Sequence, residues 1–278
     1  MIQNSFERLD KVLANSGFGT RKDVKRLIRG GLVKVNGTNV NSVDQKIDLN
    51  CDKICVNDKD LEIFVNAYFV MNKPAGYVCS TKSDSHETVM SLLKPQDLRK
   101  YLGGELSMVG RLDLDTEGLL IITSDGQLNH RLTFPKYNVS KTYLVYLKNP
   151  VDEKLKSFYV QEVAKGIHIE AEGKASEADC KGGILEWKNE RDFKNPKNFD
   201  DKNENDDFPN AVCFITLFEG MFHEVKRIFK ALGNEVLYLK RIKMNDFSLP
   251  DDLKSGEYRN LTSEELKLLV EKSSPDCS

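Results

Sequence analysis

Cysteine and histidine are scarce in this chain, and neither is arranged for metal or disulfide chemistry. The six cysteines, Cys51, Cys55, Cys79, Cys180, Cys213 and Cys277, are scattered, and only the first two stand close together. No second Cys/His pair has zinc-ligand spacing, so free thiols are expected. The four histidines are dispersed as well, which argues against both a zinc site and a Ser-His-Asp triad. No apolar run approaches the roughly 18 to 20 residues of a membrane helix, and Met1-Ile2-Gln3-Asn4-Ser5 lacks the basic and apolar regions of a signal peptide. A cytoplasmic protein with no membrane contact is expected, its 278 residues sufficing for one large domain or a large and a small one. No phosphate-cradling glycine loop is present, so a nucleotide cofactor is not indicated. Net charge is only −2, which argues against a protein that coats polyanions over its whole surface.

What is there begins with Met108 to Thr123. An apolar lead-in ends at Gly110, and a dense polar turn carries Arg111, Asp113, Asp115, Thr116 and Glu117. Gly118 then hands over to Leu119-Leu120-Ile121-Ile122, which has the character of a buried strand. A carboxylate on a turn held between core elements is ordered before substrate arrives, which suits catalysis. Asp-rich turns also occur for purely structural reasons, the side chain accepting from nearby backbone N–H groups.

The small net charge conceals an asymmetry. Residues 1 to 40 contain eight Lys or Arg against Glu7, Asp10 and Asp23. Leu9, Val12 and Leu13 fall on one helical face between Arg8 and Ser16, and Gly17-Phe18-Gly19 ends that segment. A second helix follows, capped by Thr20, with Val24, Leu27 and Ile28 at apolar spacing and Gly30-Gly31 supplying left-handed residues at its end. Arg21, Lys25 and Arg29 form a row along it, with Lys22 and Arg26 beside them, and Arg8 and Lys11 precede it. Five cations on one short helix exceed what solubility requires, and phosphate binding is expected. Asn36-Gly37 between short strands is a hairpin signal.

Further on, Tyr68 to Lys73 reads as a strand, Asp84 to Leu93 as a short helix, and Gln127 to Leu132 as a helix started by Asp125-Gly126 and ended by Pro135. Lys141 to Leu147 alternates as a strand. Residues 189–210 hold six Asn, seven acidic and four basic residues without periodic apolar pattern, and read as a flexible loop at the tip of a hairpin between Gly183–Trp187 and Val212–Phe218. Val225, Ile228, Phe229 and Leu232 predict a helix closed by Gly233, Val236 to Ile242 a strand, and Thr262 to Glu265 a capping box for a last helix. The tail from Ser273 is expected to be disordered. These elements define an α+β fold with a mixed, mostly antiparallel sheet flanked by helices. The residues alone reach an RNA-binding module joined to a domain with a rigid acidic turn, without specifying a reaction.

Two resemblances supply one. The pattern Arg8-Leu9-Asp10-Lys11-Val12-Leu13, Ser16-Gly17, Thr20-Arg21, Ile28, Gly31 and Val33-Lys34-Val35-Asn36-Gly37 resembles the S4 RNA-binding domain. Asn72-Lys73-Pro74-x-Gly76, Gly110-Arg111-Leu112-Asp113-x-x-Thr116-x-Gly118-Leu119-Leu120, Lys141-Thr142-Tyr143 and Gly220-x-x-His223-Glu224-Val225-Lys226-Arg227-Ile228-Phe229, in that order, resemble the rRNA pseudouridine synthases, within which the small-subunit enzymes are nearest. That resemblance implies isomerisation of uridine to pseudouridine in rRNA, most simply one uridine of 16S rRNA. Activity on 23S rRNA, or a non-catalytic role in ribosome assembly, is the alternative. It implies no metal and no organic cofactor. It makes Asp113 the catalytic nucleophile or base, Tyr143 the residue packing on the target base, and Lys226 the partner that keeps Asp113 ionised; Arg111, beside Asp113, is a candidate to hold the flipped base or a structural residue, Arg227 is a phosphate contact or a structural ion pair, and Asp115 is left to hold the turn. The implied organisation is an S4-like domain and linker over 1–64 and a catalytic domain over 65–272, acting as a monomer on rRNA or a small-subunit assembly intermediate. The loop at 189–210 departs from the family pattern. Its negative charge places it away from the RNA.

Overall fold

The computed structural model describes residues 6–49, 51–99, 101–189 and 211–270; the expected tail at 273–278 and nearly all of the Asn-rich loop lie outside them. The chain divides into two compact units, one of residues 1–68, 93–107 and 122–128, the other of 69–92, 108–121 and 129–278.

The first unit runs β1 (Phe6–Arg8), α1 (Leu9–Asn15), α2 (Arg21–Arg29), β2 (Val33–Val35), β3 (Thr38–Asn39), β4 (Lys46–Asp48), β5 (Ile54–Val56) and β6 (Lys59–Asp60). Thr20 and Asp23 form a capping box at the start of α2, the Asp23 N–H donating to the Thr20 hydroxyl and the Thr20 N–H to the Asp23 carboxylate. Of the two glycines expected to be left-handed after α2, only Gly31 is, at φ 71°; Gly30 stays right-handed at φ −75°. Asn36 and Gly37 both have positive φ, the geometry of the two-residue hairpin that joins β2 to β3. Leu9, Val12, Leu13, Val24 and Ile28 of the helices pack with Val33, Val35, Ile54 and Val56 of the strands in one buried cluster. Burying that stripe turns Arg21, Lys22, Lys25, Arg26 and Arg29 outward, and all five are exposed.

The remaining elements are β7 (Tyr68–Lys73), β8 (Ser107–Val109), β9 (Glu117–Thr123), α3 (Gly126–Thr133), β10 (Lys141–Leu147), α4 (Glu153–Lys165), β11 (His168–Ile169), β12 (Ala178–Asp179), β13 (Ile184–Lys188), β14 (Ala211–Leu217), α5 (Glu224–Ala231), β15 (Val236–Met244), β16 (Phe247–Ser248), β17 (Tyr258–Asn260) and α6 (Ser263–Val270). A nine-stranded sheet has the order β13-β14-β10-β15-β9-β7-β17, with β8 on β9 and β16 on β15. Strand β10 is antiparallel to both neighbours, whereas β9 and β15 are parallel, so the sheet is mixed. Helices α4 and α5 contribute Tyr159, Val163, Val225, Ile228 and Phe229 to the core under β10 and β14.

One reading needs correction, and two elements had none. The helix expected over Asp84 to Leu93 is reduced to a 3-10 turn at Val89–Leu92. Helix α4 was not anticipated, because its apolar residues do not form one stripe: Tyr159 and Val163 are buried while Leu155, Phe158 and Val160 are exposed. Strand β17, at three residues, is too short to show a period, although it pairs with β7.

Candidate active site

The turn from Gly110 to Gly118 is held by two buried cations. Lys73, the last residue of β7, is fully buried, and its ammonium donates to the carbonyls of Thr116 at 2.8 Å, Asp113 at 3.0 Å and Pro74 at 3.1 Å. Burial holds the Lys73 pKa below the ordinary lysine value, and nearby carboxylates, Asp115 and Asp113 among them, work in the opposite direction. Arg241 of β15 is buried as well, with Nε donating to Leu119 O at 2.7 Å and a terminal guanidinium nitrogen to Gly110 O at 2.9 Å. Gly118 makes the approach possible. It is paired with Arg241 at φ 100°, and a Cβ there would lie 2.2 Å from the Arg241 carbonyl oxygen. The backbone of the turn is thus fixed through its carbonyls while its carboxylates remain available.

Those carboxylates face the start of α5. Asp113 is partly exposed, with His223 Nε2 at 3.7 Å from one oxygen and Lys226 Nζ at 3.9 Å from the other. Lys226 makes its short contacts with Asp115, at 2.6 and 2.7 Å. The lysine expected to pair with Asp113 is therefore shared, and its tighter bond is to the more exposed Asp115. Asp115 directs its carboxylate at Lys226, a role different from the turn-holding one expected of it. His223 immediately precedes α5 and Lys226 lies in its first turn, so both side chains reach the Asp113 carboxylate from the same end of the helix. His223 itself has a left-handed backbone at φ 50°, its Nδ1 lies 3.2 Å from Glu172 Oε1, and its ring stacks on Phe222 at 3.7 Å between centroids.

Tyr143 of β10 lies opposite Arg241 across the sheet and is half-buried. Burial raises its phenol pKa, the Asp113 charge adds to that, and Arg241 opposes it. Arg111 is exposed, and among the described residues it has no ion pair. Arg227 is not placed to bind substrate: it is 4% exposed, and its guanidinium is taken up by the carbonyls of Ser176 at 2.6 Å, Glu170 at 2.7 Å and Phe222 at 3.2 Å. Its position in the motif directly after Lys226 could not reveal this, since the next helical residue points a quarter-turn or more away. In the first unit Arg8 is forked onto Asp10 and Lys11 is paired with Glu7, so these two are less available than the α2 cations.

Lys73 and His223 stand in the sequence motifs without an assigned role, and Arg241 stands in none. A signal existed for Lys73, which ends an apolar strand buried on both faces, so that a cation there is buried as well. Nearby, Glu224 is pushed up to about 7 by burial and Lys141 down to about 8, the latter's ammonium donating to Val139 O and Glu219 O. Among the described residues the one group with ligand atoms close enough to share a metal ion is His168, Glu170 and Glu177, all exposed, with His168 already bonded to Asp179 at 2.8 Å.

Two family models match the chain: S4 domain over residues 7–50 and RNA pseudouridylate synthase over residues 67–231. The chain is 38% identical over 266 residues to the uncharacterized RNA pseudouridine synthase YtzG of Bacillus subtilis, covering 95% of this chain and 98% of that one. It is 39% identical over 264 residues to ribosomal small subunit pseudouridine synthase A of Haemophilus influenzae, covering 95% and 99%. A crystal structure of a pseudouridylate synthase is similar with a TM-score of 0.58 at 36% identity, over 95% of this chain and 99% of that one. The chain belongs to the RNA pseudouridylate synthase family. Within it, the chain is a pseudouridine synthase that carries an S4 domain ahead of its catalytic region.

Proposed function

We propose that the protein isomerises a single uridine of 16S rRNA, as a monomer in the cytoplasm, with Asp113 as the residue that carries the chemistry. The observation that carries the second half is the placement of the Asp113 carboxylate: partly exposed, on a turn whose backbone is locked by Lys73 and Arg241, with His223 and Lys226 on its two oxygens. The first half is supported by likeness along nearly the whole chain to a ribosomal small subunit enzyme.

The N1–C1′ bond breaks, the base rotates, and C5 bonds to C1′, while the C5 proton is lost and N1 gains one. The product is an isomer, so no external redox or group donor is required. Asp113 acts on the ribose, either at C1′ as nucleophile or at the 2′ hydrogen as base. Lys226, bridging Asp115 and Asp113, orients the carboxylate. Tyr143 packs against the base. Burial raises the Tyr143 phenol pKa, and the residue assists loss of the C5 proton. The uridine must leave its stack to enter, and the exposed Arg111 beside Asp113 is suited to hold that conformation. Residues 1–64 provide the S4-like RNA contact, through Arg21, Lys22, Lys25, Arg26 and Arg29, and 65–272 the catalytic domain.

The test is pseudouridine mapping by carbodiimide and primer extension on 16S and 23S rRNA from cells with and without the gene. Loss of one 16S stop is expected. A missing 23S stop would move the substrate to the large subunit, and unchanged patterns in both RNAs would favour an assembly factor that binds without reacting.

A further inference from the structure

We propose that Phe222 is a stacking platform for a nucleobase of the RNA substrate adjacent to the uridine that enters the Asp113 site. Phe222 is 49% exposed, and the face of its ring that is covered lies on His223, at 3.7 Å and 19° between planes. An exposed phenylalanine alone means little. This one is rigidly mounted: its backbone carbonyl accepts from the buried Arg227, and the His223 ring behind it is bonded at Nδ1 to Glu172 and carried on a left-handed backbone that few non-glycine residues adopt. The same histidine places Nε2 at 3.7 Å from the Asp113 carboxylate, so the two-ring stack stands beside the reacting group.

Extrusion of a uridine leaves the faces of its neighbours in the strand unstacked. A preformed aromatic ring at the mouth of the site restores stacking to one of them. Every base has a π-face, so this contact adds affinity with little preference for base identity. It carries no charge and leaves the number of neutralised phosphates unchanged. This inference rests on the reading of Asp113 as the reacting group, because the platform matters only beside the site where the uridine is handled.

The experiment uses the full chain with 16S and with 23S rRNA from cells lacking the gene. Phe222→Ala, Phe222→Leu and Phe222→Tyr are compared for kcat and KM, and for RNA affinity across a salt series. In the Ala and Leu variants KM and Kd should rise about 5- to 150-fold, with kcat within about threefold of wild type. The slope of affinity against salt should be unchanged, and Tyr should restore both constants. Leu performing as well as Phe would reduce the contact to apolar packing. A fall in kcat at unchanged KM would reduce Phe222 to a prop for His223, and no effect in any variant would show that RNA does not reach the ring; each result overturns the proposal. Repeating the affinity measurements in an Asp113→Asn background separates the two readings, since RNA binding needs no turnover. Turnover surviving in Asp113→Asn would fail the Asp113 reading, while a drop in affinity on Phe222→Ala would still report stacking.

Discussion

Between Lys73 and Asp113 the contact is to the backbone: the ammonium binds the Asp113 carbonyl and leaves the carboxylate to face His223 and Lys226. Replacing Lys73 by Met keeps the volume and removes the donor from the carbonyls of Pro74 and Thr116, while Asp113 O keeps the Thr116 N–H; each buried acceptor left unsatisfied costs about 1–3 kcal/mol. We expect Lys73→Met to be destabilised by roughly 3 kcal/mol or more and to lose kcat on the order of a hundredfold through misplacement of the turn. Denaturant titration and steady-state kinetics check this, and a variant with normal kcat would show that the lysine does not position Asp113. The motif wording brought Asp113, Lys226 and Tyr143 forward in the sequence. It separated Lys226 from its neighbour Arg227 but could not show that Arg227 is saturated by backbone carbonyls, because residue type does not report the direction of a side chain.

At the level of elements, α5 begins at a buried acid. Glu224 accepts from the Met221 N–H, yet burial pushes its pKa from 4.5 to about 7. Between those values the folded chain keeps a proton that the unfolded chain has released, so this group's contribution to stability falls as pH rises from about 4.5 to about 7. Glu224→Gln keeps the acceptor and removes the titration. Relative to wild type it should gain up to about 3 kcal/mol on going from acid to pH 8, read as a pH-dependent difference in Tm. A difference independent of pH would contradict the assignment. Helix α2 offers a second test. Lys25→Ala or Arg29→Ala should reduce the salt slope of RNA affinity by about 0.7–0.9 for each phosphate that is no longer neutralised, whereas unchanged slopes would assign the row to solubility. Helix α2 was legible because cap, apolar stripe and glycine end agree on one element. Helix α4 was not, because its exposed Leu155, Phe158 and Val160 blur the stripe, and Arg241 was hidden by a strand pattern that reads as ordinary alternation.

For the whole molecule, a net charge of −2 coexists with a row of exposed cations on α2 and an acidic, Asn-rich stretch that lies between β13 and β14 in the sequence. Lys188 and Val212 are register partners, so the two strands can be rejoined by a short turn. Replacing 190–210 with Asn-Gly should leave kcat, KM and rRNA affinity unchanged; a large fall in affinity would show that the stretch binds RNA. The proposed mechanism makes the activity of the whole molecule depend on one carboxylate. The measurement that tests this most directly is release of tritium from C5 of labelled uridine in rRNA, with wild type, Asp113→Asn and Asp115→Asn compared at equal RNA occupancy. Asp113→Asn should bind rRNA and release nothing above background, and Asp115→Asn should keep measurable turnover. Turnover by Asp113→Asn together with its absence in Asp115→Asn would contradict that assignment and move the chemistry to the carboxylate that Lys226 holds most closely.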